Sequence, residues 1–580
     1  MKTGTARAVG RVAVCVAVVS ACAPAWLILR YGVDVPYSDQ WNIAHFFEKF
    51  ARGTLTLADL YAQQNEYRQF FPHLLFVGLG RLTSWNVKYE MFVSLLLACF
   101  VACGFWRLGA RTFTDPLRRG VFFLLACMLN FSAMQYDNWL FGVQVVYFMP
   151  IACVVAGLLF AYTEKVGTGV AIVACACLSA VSTFSSANGM VAWLVLPPAL
   201  LAARPEARAV ARRWLPFWCA GLALCAVVYV NDYQQPGALP GASVALRRPL
   251  DALAYFVAYL GGPLAAGPRP LLVALAAGAC ALSLYGLVCA YLFKHREDDA
   301  LVRRATVWLM LGAYSVVTGA LVTAGRVGFG VSHATTTRYV GFSLYLLVAL
   351  IYLLPCVFED VARKSYLRAG RLALLKKIGA TAAVLLVLAH VVVFALVMRH
   401  SAANWRRMML RGKACVLFIA VVPGEPCQPE GHFFDAGLMR ERADSLDRMG
   451  YLRPPLVRDS HVSVLAAGEA CAGGSFKLIP AEGGYVVEGE ARLPRRGGEP
   501  ADAVLLAGGT NAEDQRVFAL AKVGETGARD DPSWHKTFSP DVLPAVVTAW
   551  AFDAEEGKAY RLCETQPTGS SLKSESTDPL

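Results

Sequence analysis

The run VAVCVAVVSACAPAWLIL, residues 12–29, decides the fold class because it is apolar over the length that a helix needs to cross a bilayer. It follows a basic N-terminus and is long for a signal peptide, and more apolar runs follow it, so we interpret it as an uncleaved first span. Hydrophobic residues make up 56% of the 580-residue chain and charged residues only 17%. These features predict a polytopic α-helical membrane protein with about eleven spans.

Charge divides the chain into two parts. Residues 1–398 carry 33 Lys and Arg against 17 Asp and Glu, whereas residues 399–580 carry 21 against 25. The basic excess lies in short loops, as expected of cytoplasmic loops; the pair Arg247–Arg248 is the exception. This pattern predicts a cytoplasmic N-terminus and a C-terminal domain outside the cytoplasm. It argues against nucleic-acid binding, since no basic patch with interleaved aromatic residues occurs elsewhere.

The other apolar runs predict the remaining spans. These are residues 88–106, 120–134, 145–163, 167–184, 190–203, 214–230, 271–293, 305–324, 340–358 and 379–398. The Pro- and Gly-bounded run 250–266 is interpreted as re-entrant or interfacial, because an odd number of crossings must lie between its flanking loops. Residues 1–398 thus form the predicted transmembrane domain.

The composition changes at Arg399. Residues 399–455 are predicted to be a linker with a helical segment, residues 456–566 a β-rich domain and residues 567–580 a disordered tail. From Gly474 onward, short β-type runs alternate with turns, which is typical of a small β-sandwich. If this part lies outside the cytoplasm, one or two disulfides are expected, with three connectivities open among Cys415, Cys427, Cys471 and Cys563.

The segment RYGVDVPYSDQWNIAHFFEKFARGTLTLADLYAQQNEYRQFFPHLL, residues 30–75, concentrates ionisable groups where the chain leaves the first span. Asp39 is the candidate catalytic residue, because a carboxylate at this place can deprotonate an acceptor hydroxyl while a lipid-held donor approaches from the bilayer. The alternative, compatible with this role, is that Ser38 or Asp39 caps the amphipathic helix WNIAHFFEKF, which is predicted to lie in the interface.

Three short stretches carry candidate substrate-binding residues. NEYRQFFPH (65–73) combines an acid, a cation and a histidine, against the alternative of a solvated interfacial helix. QYDNWLFGVQ (135–144) suits a sugar or equally an interfacial aromatic belt. GRVGFGVSHATTTRY (325–339) has two arginines that suit a phosphate, against the alternative of arginines that snorkel to headgroups. The candidates are Glu66, Arg68, His73, Asp137, Gln144, Arg326, His333 and Arg338.

These features together resemble the GT-C superfamily of membrane glycosyltransferases. They are also similar to uncharacterised bacterial membrane proteins with an SDQW-type loop, an EHR-FFP-like segment (here NEYRQFFPH) and a GRxGFG…RY loop (here 325–339). The resemblance covers residues 1–398 in architecture and rests on short motifs. It implies a polyprenyl-phosphate-linked sugar as donor, Asp39 as catalytic base, and Arg326 and Arg338 as contacts of the donor phosphate. Such a donor and a C-terminal domain outside the cytoplasm fit the inner membrane of a Gram-negative bacterium, with that domain in the periplasm.

One departure from that family concerns metals. Many relatives carry a paired acid in the first outer loop, whereas Gln40 follows Asp39 here. This departure leaves a divalent cation (Mg²⁺ or Mn²⁺) open as a cofactor and Glu66 as an alternative second carboxylate. We claim no metal site, because His45 and Glu48, which share a helix face, fall short of the three or four ligands that a metal usually takes.

The sequence thus predicts an inverting glycosyltransferase in the lipid bilayer, with an envelope glycan or lipid as acceptor. The rival is a polysaccharide transporter, flippase or assembly factor, which should carry charged groups near the bilayer midplane; here His390 is nearly alone within a span. A third interpretation makes the C-terminal region a tethered glycan-binding module.

Overall fold

The computed structural model of the protein describes residues 3–237, 240–366, 369–422, 436–468, 471–510, 514–524 and 530–565. By the contacts between its residues, the chain divides into two compact units. The first consists of Met1–Gly32 and Lys49–Ala402, and the second of Val33–Glu48 and Ala403–Leu580. The segment 30–75 is therefore shared between the units, and Asp39 belongs to the second one. The predicted tail 567–580 and Cys427 lie outside the described residues.

Most of the chain is α-helical. In chain order the α-helices are α1 (Thr3–Ser20), α2 (Cys22–Tyr31), α3 (Ala44–Ala51), α4 (Leu57–Tyr61), α5 (Phe70–Thr83), α6 (Lys88–Thr112), α7 (Pro116–Asn130), α8 (Tyr136–Leu140), α9 (Val145–Tyr162), α10 (Thr168–Thr183), α11 (Ala192–Ala203), α12 (Pro205–Ala209), α13 (Ala211–Val230), α14 (Ser243–Arg247), α15 (Pro249–Gly261), α16 (Pro270–Lys294), α17 (Asp299–Arg326), α18 (Val340–Arg363), α19 (Ala369–Leu396), α20 (Ala402–Leu417) and α21 (Ala436–Arg448).

Several helices begin where the sequence supplies a cap. Asp115 accepts hydrogen bonds from the first backbone N–H groups of α7, and Pro116 occupies the first helical position. Asp298 does the same for α17, and Thr56 forms a capping box with Asp59 at α4. These caps satisfy backbone donors that a helix cannot pair internally.

Nine helical stretches of the described ranges are long and apolar enough to cross a membrane. They are Arg7–Tyr31, Lys88–Thr112, Pro116–Leu140, Gly142–Tyr162, Ala211–Val230, Pro270–Lys294, Asp299–Phe329, Thr337–Arg363 and Gly370–Leu417. The prediction of a multi-pass helical membrane protein is thereby confirmed. Two of the eleven predicted spans, 167–184 and 190–203, correspond to the shorter apolar helices Thr168–Thr183 and Ala187–Ala203, because the turn between them breaks the run.

The helix predicted to lie in the membrane interface is instead largely packed within protein. Residues Ser38–Asn42 form a 3₁₀ helix, and α3 follows it. The apolar stripe of WNIAHFFEKF has five residues. Phe50 is exposed, and the other four are buried, namely Trp41, Ile43, Phe46 and Phe47. The amphipathic pattern was correct, but its apolar face covers a protein core.

The C-terminal region carries two β-sheets, as the β-type runs predict. Its strands are β1 (Gly474–Ala481), β2 (Gly484–Leu493), β3 (Glu499–Pro500), β4 (Ala503–Gly509), β5 (Arg516–Ala521), β6 (Ser533–Phe538), β7 (Val546–Asp553), β8 (Lys558–Arg561) and β9 (Cys563–Glu564). The first sheet has the order β3-β2-β1-β9, with β6 also pairing with β2, and the second has the order β5-β4-β7-β8. Phe476 and Val487 of the first sheet share one buried core with Leu506 and Ala549 of the second.

Candidate functional site

The 325–339 loop of the first unit is an ordered chain of 3₁₀ turns. Helix α17 ends at Arg326 and is followed by the turns Val327–Phe329, Val331–Thr335 and Thr337–Tyr339, after which α18 begins. Gly330, between the first two turns, has φ +95°, a backbone conformation that side chains with a Cβ rarely adopt. Because α17 and α18 pack against each other, the loop holds its arginines at one end of this helix pair.

Arg338 differs from the other site arginines because its guanidinium is available to bind a ligand. Its side chain is exposed, and within the described residues its guanidinium makes no hydrogen bond or ion pair. Only its backbone carbonyl is engaged, accepting from the Asn138 side-chain amide at 3.1 Å. An arginine fixed through its backbone, with a free guanidinium, is suited to bind an anion.

Several polar side chains interact electrostatically with Arg338, among them those of Tyr67, Asp137, Tyr147 and Tyr339. Burial, together with the neighbouring tyrosines, raises the pKa of Tyr67 well above its usual range, so its hydroxyl stays protonated at neutral pH. Tyrosine hydroxyls, which can donate hydrogen bonds to an anion or to a sugar, therefore lie within electrostatic range of the Arg338 guanidinium.

Arg326 is paired, unlike Arg338. Its guanidinium forms an ion pair with the carboxylate of Glu66, and the side chains of Arg326 and Glu66 are only 17% and 16% exposed. The backbone carbonyl of Glu66 also accepts a hydrogen bond from the Tyr229 hydroxyl at 3.1 Å. The predicted cation and the predicted acid of two different loops are thus brought into direct contact.

His333 lies near both arginines and is neutral. Burial first, and then the charges of Arg338 and Arg326, together lower the pKa of His333 from 6.5 to about 4. Its Nδ1 is hydrogen-bonded to the Tyr255 hydroxyl at 3.1 Å, and the Phe329 ring lies 5.1 Å from its own ring. An anion bound between the two arginines would favour the protonated imidazole, so His333 can respond to ligand charge.

Asp137 ties the 135–144 segment to the same loop. The Thr337 hydroxyl donates to its Oδ2 at 2.5 Å, while its other oxygen, Oδ1, is buried without a hydrogen-bond partner among the described residues. Gln144 ends a 3₁₀ turn nearby in the chain and is buried. Of these two sequence candidates, Asp137 alone has a described contact with the loop.

Arg68 and His73 occupy the interior of the fold. The Arg68 side chain donates to the backbone carbonyls of Tyr229 at 2.8 Å, Tyr61 at 3.5 Å and Asn231, and its guanidinium lies 4.7 Å from the centre of the Tyr61 ring. His73 is only 1% exposed and bonds through Nδ1 to the Leu60 carbonyl at 2.7 Å. Arg68 thus binds carbonyl groups at the C-terminal end of α13, and His73 joins α5 to α4. Both side chains therefore hold in place the segment that carries Glu66 and Tyr67.

Asp39 is exposed and lies in the first turn of the 3₁₀ helix Ser38–Asn42 of the second unit. The N-cap position of that turn is Tyr37, whose backbone N–H donates to the Gln40 side chain at 3.2 Å. Arg442 holds the other end of the turn by donating to the Trp41 carbonyl at 2.5 Å and to Asn42 Oδ1 at 2.9 Å. The carboxylate thus stands on an anchored turn, outside the cap position that we had considered for it.

The sequence interpretation missed the tyrosines and Thr337. Tyr67, Tyr147 and Tyr255 belong to three different segments, and nothing in their local patterns distinguishes them from packing residues. Thr337 lies inside the quoted loop, where its pairing with Asp137 could have been suspected only from the hydroxyl-rich composition. Among the described residues, no group of three or more His, Cys, Asp or Glu could hold a metal ion.

No family model matches this chain, and no curated protein is similar to it. Among solved structures, the chain is similar to ArnT from Cupriavidus metallidurans in the apo state, with 14% identity, coverage of 59% of this chain and 76% of that chain, and a TM-score of 0.27. The same protein bound to undecaprenyl phosphate gives 15% identity, 63% and 80% coverage, and a TM-score of 0.25. Similarity at these TM-scores carries no argument about the present site.

Proposed function

We propose that this chain is a membrane glycosyltransferase that moves a sugar from a polyprenyl-phosphate donor to an envelope glycan or lipid at the outer face of the membrane. The observation that carries the proposal is the exposed guanidinium of Arg338, which has no hydrogen bond or ion pair among the described residues of this multi-pass membrane protein, with neutral His333 beside it. A free cation on an ordered loop at the end of two packed apolar helices suits a phosphate that is attached to a lipid chain.

The reaction needs two kinds of group. An acceptor hydroxyl loses its proton to Asp39 as its oxygen attacks the anomeric carbon, and the bond from that carbon to the phosphate oxygen breaks with inversion. Negative charge then grows on the departing polyprenyl phosphate, which Arg338 stabilises. The Tyr67 and Tyr147 hydroxyls border this anion, and Asp137 offers an acceptor oxygen to a sugar hydroxyl.

Arg326 and Glu66 have a shared role in this scheme. Without donor, Glu66 neutralises Arg326 and leaves Arg338 as the single free cation of the loop among the described residues. A phosphate that binds Arg338 then also contacts Arg326, whose charge is already neutralised by the Glu66 carboxylate. Arg68 and His73, whose side chains bind backbone carbonyls, hold in place the segment that carries Glu66.

The test measures sugar transfer from short-chain polyprenyl-phosphate sugars to a crude envelope acceptor, with the full chain in nanodiscs. We expect Asp39→Asn and Arg338→Gln each to lower the rate about 10²-fold or more. Asp251→Asn and Arg269→Gln, which change an exposed aspartate and an exposed arginine elsewhere, should transfer at the wild-type rate.

Undiminished transfer by Asp39→Asn would remove Asp39 as the base, and undiminished transfer by Arg338→Gln would remove the phosphate site. Movement of the intact donor across vesicle membranes without sugar transfer would instead support the transporter or flippase interpretation.

A further inference from the structure

Two cysteines of the second unit lie side by side where the chain's last strand joins the first sheet. Cys563 opens β9, which pairs in parallel with β1 through Ser475 and Phe476. The Gly473 N–H donates to the Arg561 carbonyl at 3.1 Å, and Thr565 N–H donates to the Phe476 carbonyl at 2.8 Å. Because Cys471 precedes Gly473 by two residues, this ladder holds both cysteines at the same sheet edge.

The side chains meet as well. The Cys563 Sγ lies 4.0 Å from the backbone carbonyl of Cys471, and a hydrogen bond between the two thiols raises the pKa of Cys563. Cys471 is exposed and Cys563 is half-buried, so an oxidant in solution can reach the pair. Thiols in hydrogen-bond contact are close enough for a sulfur–sulfur bond to form with small adjustments of the side chains.

A second observation concerns the same unit. Cys415 is disulfide-bonded, whereas every other cysteine that the structure describes is free. Apart from Cys471 and Cys563, those free cysteines lie within residues 1–398, where most are in apolar helices. Disulfides persist in oxidising compartments, so a unit that already holds one is exposed to the oxidants that would join a neighbouring pair.

We propose that Cys471 and Cys563 form a disulfide in the mature protein. It arises by exchange with a small-molecule or enzyme disulfide. The more exposed Cys471 thiolate attacks one sulfur of the oxidant and releases one thiol, and Cys563 then attacks the mixed disulfide and releases the second. The two protein thiols are oxidised, the oxidant disulfide is reduced to two thiols, and the two protons pass to them.

The bond would strengthen a weak point of the fold. Strand β9 is two residues long and pairs with β1 through two residues only. The cysteines are 92 positions apart, so the bond closes a loop of the chain that contains strands of both sheets. It therefore restricts the conformations of the unfolded chain. This role does not depend on the proposed transferase activity.

The test uses the full chain in detergent, incubated with oxidised glutathione, denatured without reductant and alkylated with N-ethylmaleimide. After tryptic digestion, mass spectrometry should find residues 459–477 joined to residues 562–573, with neither cysteine alkylated. In Cys471→Ser, Cys563 should become fully alkylated, and in Cys563→Ser the same should hold for Cys471. Cys415 should remain unalkylated in all three proteins.

Full alkylation of both Cys471 and Cys563 in the oxidised wild type would overturn the proposal, as would a link from either one to another cysteine. Thermal unfolding gives a second measurement. Reductant should lower the melting temperature of the wild type more than that of Cys471→Ser/Cys563→Ser. Equal decreases would show that the bond does not stabilise the β-rich region.

Discussion

Glu66 limits the positive charge that the site presents, because its carboxylate is paired with Arg326. Replacing Glu66 by Gln keeps the shape of the side chain and removes the carboxylate that competes with an anionic ligand for Arg326. The ligand then has a second arginine available. We expect Glu66→Gln to bind farnesyl phosphate roughly three- to tenfold more tightly than wild type, a gain of about 0.6–1.4 kcal/mol. The protein should also melt at a lower temperature, since Arg326 is left partly buried without its partner.

The control is Glu297→Gln, which neutralises an exposed glutamate elsewhere in the first unit. It should leave both binding and melting unchanged. Weaker binding by Glu66→Gln would mean that Glu66 helps to hold the ligand, and the competition between carboxylate and phosphate would then be wrong.

His333 makes stability depend on pH. Its pKa is lowered from 6.5 to about 4 by burial and by the two arginines, so between these values the unfolded chain binds the proton more readily. Stability is then fully present above pH 6.5 and is lost as pH falls toward 4. From pH 7 to pH 5, the melting temperature of wild type should fall further than that of His333→Gln. Equal decreases would mean that His333 titrates normally in the folded protein.

These residues show what local sequence could predict about the site. Arg326, His333 and Arg338 come together because one short loop carries all three. The hydrogen bonds of Arg68 could not be predicted, because the backbone carbonyls that accept them belong to residues more than 160 positions away. The tyrosines around Arg338 come from distant segments for the same reason.

At the scale of elements, α15 and α16 cross with their backbones in close approach. A Cβ added at Gly278 would lie 1.8 Å from the Val257 carbonyl oxygen, and one at Gly261 would lie 1.9 Å from the Ala274 oxygen. Gly278→Ala must therefore push the helices apart, at a cost of about 1–3 kcal/mol. Since α15 carries Tyr255, the partner of His333, the change should also weaken binding of farnesyl phosphate.

Gly286→Ala is the matched control for this crossing. It lies in the same helix, and a Cβ there would meet open space. We expect its melting temperature in detergent to equal or slightly exceed that of wild type, because alanine favours the helix. If Gly278→Ala were as stable as Gly286→Ala, the helices would not be in close contact.

Arg496 is the central cation of the β-rich region. It forms ion pairs with Asp553 and, at 2.9 Å, with Asp502, and both carboxylates are buried. Burial raises the pKa of Asp502 to about 6 even with this arginine present. Arg496→Met leaves two buried carboxylates without their cation and should cost about 3–5 kcal/mol of unfolding free energy.

Arg495→Met provides the comparison, because Arg495 is exposed and contacts only the exposed Glu556 at 3.4 Å among acids of the described residues. It should change stability by less than about 1 kcal/mol in urea unfolding of the full chain. A similar loss of stability in both variants would indicate that the turn tolerates no Met at either position, and that the ion pairs of Arg496 with the buried carboxylates are not the cause.

Elements were more predictable from sequence than sites, for physical reasons. Helices that cross a membrane and strands of a sheet each show a characteristic local pattern of apolar residues. Six β-type runs of the C-terminal region fall on observed strands, namely 475–480, 484–493, 502–509, 516–523, 545–554 and 558–564. Strand β3 has two residues and β6 reads SWHKTF, so neither shows the alternation that indicates a strand. The 3₁₀ turns of the 325–339 loop have no comparable sequence signal.

At the scale of the whole molecule, the number of crossings and the side of the C-terminus are separate questions. Helices Thr168–Thr183 and Ala187–Ala203 are consecutive and span roughly 24–26 Å at 1.5 Å per residue, somewhat short of the hydrocarbon core. If both cross, the chain has eleven crossings, and if neither crosses, it has nine. Either number predicts that the C-terminal region lies opposite the N-terminus, which the basic residues Lys2, Arg7 and Arg11 predict to be cytoplasmic.

Two reporter fusions in a Gram-negative host distinguish these cases, using alkaline phosphatase, which is active only outside the cytoplasm. A fusion after residue 580 should be active with either nine or eleven crossings. A fusion that replaces everything after residue 186 should be active only if Thr168–Thr183 crosses, as eleven spans require. An inactive fusion at residue 580 would contradict the predicted orientation, and it would also remove the oxidising compartment on which a disulfide between Cys471 and Cys563 depends.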